Sequence, residues 1–183
     1  MEMKAGRQRP TPSETITVVA YDPAWPQIFR SIRERLQALL VGSEAVIEHV
    51  GSTAVPGLAA KPIVDVDVVV PSRADVPDAV RDLESGGYIH RGDLGIPGRE
   101  AFDVPPDLLY HHLYVVAAGT KPHLDHVLLR DYLRSHPDAA ERYGRRKLEV
   151  AHLITAEGRQ AYMEAKASIV EEMLAIARRE SCS

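Results

Sequence analysis

The clearest element of the sequence is Ile63-Val64-Asp65-Val66-Asp67-Val68-Val69-Val70, a run of β-branched residues interrupted by two aspartates. Such a run predicts a β-strand. Because side chains alternate across a strand, the even-numbered valines share one face, and Asp65 and Asp67 share the other. The sequence therefore predicts a core strand that carries two carboxylates about 7 Å apart on its second face.

These paired carboxylates predict a metal site. Two like charges this close together are costly unless a cation lies between them. Magnesium prefers oxygen ligands of this kind, together with waters and substrate phosphates. We therefore expect Asp65 and Asp67 to bind Mg²⁺, with two solvated aspartates on an edge strand as the alternative.

A second motif precedes this strand. Segment 45–50 predicts another strand, which runs directly into Gly51-Ser52-Thr53. A glycine at such a junction lets the backbone approach a phosphate, which the following N–H groups and hydroxyls can hold. We expect Gly51, Ser52 and Thr53 to bind phosphate. The alternative is an ordinary turn, in which Ser52 or Thr53 caps a short helix.

Periodicity and capping residues predict the other elements. They are a short strand at 15–19, a helix from Asp22 to Gly42, a helix at 75–84, a hairpin within 88–106, a strand at 111–116, and helices at 120–135, 137–151 and 155–179. This order favours an α/β (α+β) fold, with a mixed β-sheet flanked by helices and with C-terminal helices packing on the core. We expect a flexible tail at 1–14 and a single domain at 15–180.

Composition limits the partners. The chain has 183 residues and a formal net charge of −4, which argues against binding long nucleic acid or an anionic membrane. No apolar run approaches the roughly 18 residues that a membrane span requires. The single cysteine, Cys182, cannot form an internal disulfide. These features are typical of a cytoplasmic protein.

The Gly51-Ser52 turn followed by Asp65-x-Asp67 resembles the signature of the nucleotidyltransferase superfamily, in which two aspartates hold magnesium on a nucleoside triphosphate. Further motifs resemble the GrpB family over the range from Thr17 to Lys166. They are Tyr21-Asp22-Pro23-Ala24-Trp25-Pro26, Glu48-His49-Val50-Gly51-Ser52-Thr53-Ala54-Val55-Pro56-Gly57-Leu58, Lys61-Pro62-Ile63-Val64-Asp65, His111-His112-Leu113-Tyr114-Val115, Leu129-Arg130-Asp131-Tyr132-Leu133-Arg134, Tyr143 with Lys147, and Ala161-Tyr162 with Lys166.

The resemblance implies a nucleotidyltransferase-like fold, Mg²⁺ as cofactor and a nucleoside triphosphate as substrate. A nucleoside monophosphate would pass to a small-molecule acceptor, with Asp65 and Asp67 as the catalytic metal ligands. Lys61, Arg130 and Lys147 would neutralise phosphate charge. For each of these basic residues, a solvated surface or an ion pair is the alternative. Related domains also occur fused to dephospho-CoA kinases, which points to nucleotide-related work.

The sequence departs from the superfamily at one position. Nucleotidyltransferases usually place a third carboxylate on a neighbouring strand, which corresponds to 111–116 here. Strand alternation directs His112 and Tyr114 toward the site instead. His112 is therefore the candidate base or metal ligand, with a structural histidine as the alternative. Asp103 is the candidate substitute carboxylate.

Functions of two other classes stay open. The missing third carboxylate is compatible with a non-catalytic nucleotide- or partner-binding module. The pair His123 and His126 could bind zinc, which would indicate a zinc-dependent hydrolase. A nucleotidyltransferase site predicts a specific geometry, in which a common concave face holds Ser52, Asp65, Asp67 and His112, with Lys61, Arg130 and Lys147 at its rim.

Overall fold

The computed structural model describes residues 17–151 and 159–181. The helices within these ranges are α1 (Trp25–Leu39), α2 (Val76–Ser85), α3 (Lys121–Ser135), α4 (Pro137–Ala151) and α5 (Arg159–Ser181). The strands are β1 (Val46–Val50), β2 (Val64–Val70), β3 (Ile89–His90), β4 (Arg99–Asp103) and β5 (His111–Ala117). The expected tail at 1–14, the start of the last helix near Thr155 and Cys182 lie outside the described residues.

The strands form one mixed sheet in the order β1-β2-β5-β4-β3. β2 lies second from one edge: it pairs antiparallel with the edge strand β1 and parallel with β5, the middle strand. β4 pairs antiparallel with both β5 and β3, so that β3 and β4 form the hairpin expected within 88–106. The parallel pairing of β2 with β5 places the strand expected to carry a third carboxylate directly beside the two aspartates.

The valine face of β2 forms the main core. Val64, Val66, Val68 and Val70 are each at most 2% exposed and pack with Leu113 and Val115 of β5. Helices α1 and α2 cover this face with an apolar stripe that includes Ile32, Leu36 and Leu83. The alternation of β2 therefore separates the valines from the two aspartates as the sequence predicts, although Asp67 and Val69 on the second face are also buried.

The C-terminal helices α3, α4 and α5 pack on one another around a second core. Its members include Tyr132, Leu133, Tyr143, Ile169 and Met173, together with Val55 and Leu58 from the loop that leads into β2. Helix α3 also contacts β1 and β5 on the sheet. This confirms the prediction of helices that pack on the core, and it places α3 and α4 where their side chains reach the aspartate face.

Element boundaries differ from the predictions where side chains take other partners. Asp22 accepts a hydrogen bond from the Ala24 backbone N–H at 2.8 Å, and α1 begins only at Trp25. Thr120 precedes α3 as expected, but its hydroxyl donates to the Ala117 carbonyl at 2.7 Å instead of capping the helix. In the described part of the expected strand at 15–19, pairing is limited to a bridge between Val19 and Ala60.

Candidate functional site

Asp67 is the most deeply buried acid of the sheet. Its side chain has an exposed fraction of 0%, and its Oδ2 atom accepts a hydrogen bond from His126 Nδ1 at 2.8 Å. Its Oδ1 atom is buried and has no hydrogen-bond partner among the described residues. Asp65 lies on the same face and is 29% exposed, so the prediction that the two carboxylates share a face is confirmed.

His112 lies opposite Asp65 in the register of β2 and β5, and its Nδ1 atom is 2.7 Å from Asp65 Oδ1. The predicted orientation of His112 is therefore confirmed. Burial raises the pKa of Asp65, but the hydrogen bond and the charge of His112, with the charges of Lys166 and His126, hold it below its usual value. Asp65 is therefore an anion at neutral pH, and its histidine partner fixes its orientation.

His126 reaches the site from α3, and sequence reasoning missed this role. The spacing of His123 and His126 predicts a shared metal, but His123 Nδ1 accepts a hydrogen bond from the Gly119 N–H at 3.1 Å, while His126 contacts Asp67. The two histidines therefore do not share a site. Burial lowers the pKa of His126, but the hydrogen bond and charge of Asp67 and the charge of Asp65 together raise it above its usual value.

The Gly51-Ser52 turn lies against Asp65. Gly51 has φ 72° and ψ −169°, and a Cβ atom built on it would lie only 2.3 Å from Asp65 Oδ2. Only glycine fits this close approach. Ser52 follows at the start of a short 3₁₀ turn, Ser52–Ala54. The phosphate motif and the acidic motif are therefore in direct contact.

Thr53 points away from this contact. Its hydroxyl is buried and hydrogen-bonds with His49 Nε2 at 3.0 Å. His49 pairs with Val66 in the sheet, so its side chain lies on the face opposite to the aspartates. The two hydroxyls thus take different partners: that of Ser52 contacts Lys147, and that of Thr53 lies by a cleft of about 330 Å³ that His49 and Thr53 help to line.

Lys147 joins α4 to the Gly-Ser turn. Its Nζ atom donates to Ser52 Oγ at 2.9 Å and to the Ala59 carbonyl at 2.7 Å, and it lies 4.5 Å from the centre of the Tyr143 ring. The residue is only 3% exposed. Burial and the neighbouring charge of Lys166 lower the pKa of Lys147 to about 7, against an opposing effect of Asp65.

Arg130 is held by carboxylates. One guanidinium nitrogen donates to Glu48 Oε2 at 2.7 Å and to the His49 carbonyl at 3.2 Å, and Nε donates to Asp131 at 2.7 Å. The ion pair with Asp131 that the sequence raised as the alternative is therefore present. Glu48, which sequence reasoning missed, faces Asp67 across the β1–β2 pair and adds a third acid to this face.

The position of a third carboxylate on β5 is filled by His112 and Tyr114. Tyr114 lies opposite Asp67, and burial and the charge of Asp65 raise its pKa, so its hydroxyl stays protonated. Asp103 forms an ion pair with Arg91 at 3.4 Å on β4, one strand further away. Lys61 is partly buried in the segment that leads into β2, and its phosphate contact stays a prediction.

The acidic side chains of this face offer oxygen ligands to a cation. Within residues 17–151 and 159–181, no group of three or more His, Cys, Asp or Glu side chains has metal-binding geometry. The buried Asp67 Oδ1 atom nevertheless has no hydrogen-bond partner among the described residues, and Asp65 lies on the same face. Such an atom fits a hard cation that takes its remaining ligands from water and phosphate, as magnesium does.

Comparison with known proteins gives relatives over most of the chain. UPF0157 protein YqkA of Bacillus subtilis is 35% identical over 141 residues, which are 76% of this chain and 41% of that protein. UPF0157 protein BH1888 of Halalkalibacterium halodurans is 37% identical over 179 residues, 94% of this chain and 87% of that protein. The chain thus spans less than half of the Bacillus subtilis relative and most of the other.

Two solved structures are also similar to this chain. The conserved protein GrpB from Enterococcus faecalis matches with a TM-score of 0.78 and 31% identity, over 91% of this chain and 100% of that one. The Cid1 poly(U) polymerase bound to MgGTP matches with a TM-score of 0.50 and 16% identity, over 75% of this chain and 44% of that one. The likeness to Cid1 shows a shared fold.

None of the described helices is long and apolar enough to cross a membrane. The GrpB family model matches residues 15–175. This match, the identity to the relatives and the shared fold lead to one conclusion: the chain belongs to the GrpB family and has a nucleotidyltransferase-like fold.

Proposed function

We propose that this protein is a magnesium-dependent nucleotidyltransferase, which transfers a nucleoside monophosphate from a nucleoside triphosphate to a small-molecule acceptor. The observation that carries the proposal is the buried Asp67 Oδ1 atom, which has no described hydrogen-bond partner and lies beside the anionic Asp65. A buried carboxylate oxygen left without a partner is costly unless a cation compensates it. Magnesium, when bound there, would neutralise phosphate charge and align the reacting groups.

The triphosphate would lie between the aspartates and the Gly-Ser turn. Gly51 brings the backbone against Asp65, and the hydroxyl of the next residue, Ser52, is held by Lys147. Lys147 supplies positive charge at Ser52 whenever it is protonated. Lys61 and Arg130 stay predicted phosphate ligands. Because its two carboxylate partners already balance its charge, Arg130 would have to leave Glu48 or Asp131 to contact phosphate.

Activation of the acceptor would fall to His112. When its Nδ1–H donates to Asp65, its Nε2 atom is free to accept a proton. An imidazole held in this way can remove the proton of an acceptor hydroxyl near neutral pH. His112 would thus replace the third carboxylate, and the mildly acidic chain favours a small acceptor over long nucleic acid.

Isothermal titration calorimetry with ATP, GTP, CTP and UTP, each with and without Mg²⁺, tests the binding step. We expect at least one nucleotide to bind in a magnesium-dependent manner, and Asp67→Asn to weaken this binding. Asp78→Asn is the matched control, since Asp78 is 71% exposed on α2, which covers the opposite face of the sheet. Failure of all four nucleotides to bind at millimolar concentration would refute the proposal.

The second candidate is a nucleotide- or partner-binding module without catalysis. It is favoured by His112 and Tyr114 in the place of the third carboxylate, and by the hydrogen bonds that already engage both aspartates. In that case Mg²⁺–nucleotide binding would survive in His112→Ala, and no nucleotidylated product would form with the wild type. A part of the chain is also 36% identical over 76 residues, 40% of this chain and 19% of that protein, to a dephospho-CoA kinase of Mycolicibacterium paratuberculosis.

A further inference from the structure

Ser52 and Lys147 have the geometry of a nucleophile and its base. The distance between Ser52 Oγ and Lys147 Nζ is 2.9 Å, within the hydrogen-bond reach that proton transfer requires. The Ala59 carbonyl, 2.7 Å from Nζ, orients the amine as a third group. A nucleophile, a base and an orienting group in hydrogen-bonded sequence are the signature of an activated hydroxyl.

The surroundings of Lys147 favour its neutral form. Lys147 is 3% exposed, and neither of its described hydrogen-bond partners, a hydroxyl and a carbonyl, carries a negative charge. The charged or titratable groups that influence it are Lys166 on α5, Asp65 on β2 and Tyr143 on its own helix. Burial and Lys166 favour loss of the proton, and the pKa of about 7 leaves a large neutral fraction at physiological pH.

Ser52 also lies where a phosphoryl group is expected. Its neighbour Gly51 abuts the carboxylate of Asp65, a proposed magnesium ligand, and the charge of Asp65 acts on Lys147, which holds the Ser52 hydroxyl. If the proposed function holds, the phosphates held at this turn lie next to an activated hydroxyl.

We propose that Ser52 is an autophosphorylation site, which accepts the terminal phosphoryl group of the bound nucleoside triphosphate. This inference rests on the proposed function. Ser52 Oγ forms a bond to the γ-phosphorus, and the bond from that phosphorus to the bridging β–γ oxygen breaks. The nucleoside diphosphate leaves with the electron pair of that bond. The hydroxyl proton passes to Lys147 Nζ, and the resulting ammonium lies beside the new phosphoserine.

The test is to incubate the purified protein with Mg²⁺ and ATP, and to map any added phosphoryl group by peptide mass spectrometry. We expect phosphoserine at Ser52, and none in Ser52→Ala. Lys147→Met should lower the rate about 100-fold or more, the usual contribution of a general base. Lys121→Met, the same substitution at an exposed lysine, should leave the rate unchanged.

A second variant separates the base from a merely structural or phosphate-binding lysine. Arginine keeps a cation at this position but cannot lose its proton. Lys147→Arg, assayed at saturating ATP, should therefore lose phosphoserine formation, whereas the wild-type rate should rise with pH through about 7. Nucleotide binding without phosphorylation of Ser52, or full transfer by Lys147→Arg, would overturn this inference and leave the proposed function intact. Absence of nucleotide binding would overturn both.

Discussion

Replacing Gly51 by alanine should disrupt the junction between the phosphate turn and the acidic strand. The dihedral angles of Gly51, φ 72° and ψ −169°, lie in a region that is essentially reserved for glycine. A Cβ atom would lie 2.3 Å from Asp65 Oδ2 and 2.9 Å from its carboxyl carbon. Either the turn or the carboxylate has to move, and moving the carboxylate breaks its hydrogen bond with His112.

The expected cost has two parts. Forcing alanine into this backbone conformation costs about 1–3 kcal/mol. Loss of a hydrogen bond to a charged group costs about 1.5–3 kcal/mol more. We therefore expect Gly51→Ala to lower the free energy of unfolding by about 2.5–6 kcal/mol, a large part of the roughly 5–15 kcal/mol that stabilises a typical domain.

Urea denaturation measures this loss. Gly57→Ala is the matched control, because Gly57 also has a positive φ of 80° but no atom lies within 4 Å of an added Cβ. The Gly57→Ala protein should therefore lose clearly less free energy of unfolding than the Gly51→Ala protein. In an Asp65→Ala background the two atoms nearest to the added Cβ are absent. A double-mutant cycle of Gly51→Ala and Asp65→Ala should therefore give a coupling energy of about 1.5–3 kcal/mol. Additive effects of the two substitutions, within about 0.5 kcal/mol, would refute the reasoning.

Three further predictions follow from charges at the site. His126→Ala should cost more stability at about pH 5.5 than at about pH 9. The pKa of His126 is raised in the folded protein, so its protonated form stabilises the fold below the ordinary pKa of 6.5, and this stabilisation is lost as pH rises through the folded pKa. Urea denaturation at several pH values checks this. Wild-type stability should rise between pH 7 and 10.5 relative to Lys147→Met, since the unfolded chain keeps a proton that the buried lysine has lost; a flat difference between the two proteins would contradict this. Arg130→Met should cost about 3 kcal/mol by leaving Glu48 without its cation, whereas Arg134→Met, with a 42% exposed side chain, should cost about 1 kcal/mol or less by thermal denaturation.

The local sequence pattern predicted a large part of the fold. The alternation in β2 correctly predicted which side chains share a face, and strand parity in β5 correctly directed His112 to the aspartates. Both conclusions rest on the period of a strand, which neighbouring residues determine by themselves. The order of the strands in the sheet depends on pairings between distant segments, and periodicity contains no information about those pairings.

The partners of the acids could not be predicted for the same reason. His126 and Asp67 are separated by 59 positions, and nothing in the sequence of α3 distinguishes His126 from His123. Lys147 and Ser52 are separated by 95 positions, and only the packing of α4 on the loop after the turn brings them together. Thr53 shows a local limit as well, since adjacent residues of a tight 3₁₀ turn point to different sides.

The most direct test of the account is a crystal structure of the protein grown with Mn²⁺ and a non-hydrolysable nucleoside triphosphate. We predict an anomalous peak for the metal within about 2.3 Å of Asp67 Oδ1 and of an Asp65 oxygen, as expected for a small divalent cation bound to oxygen. The triphosphate should contact that metal and the backbone at Ser52. A nucleotide bound elsewhere, or at this turn with no metal on Asp67, would contradict the assignment of this face as a magnesium–nucleotide site.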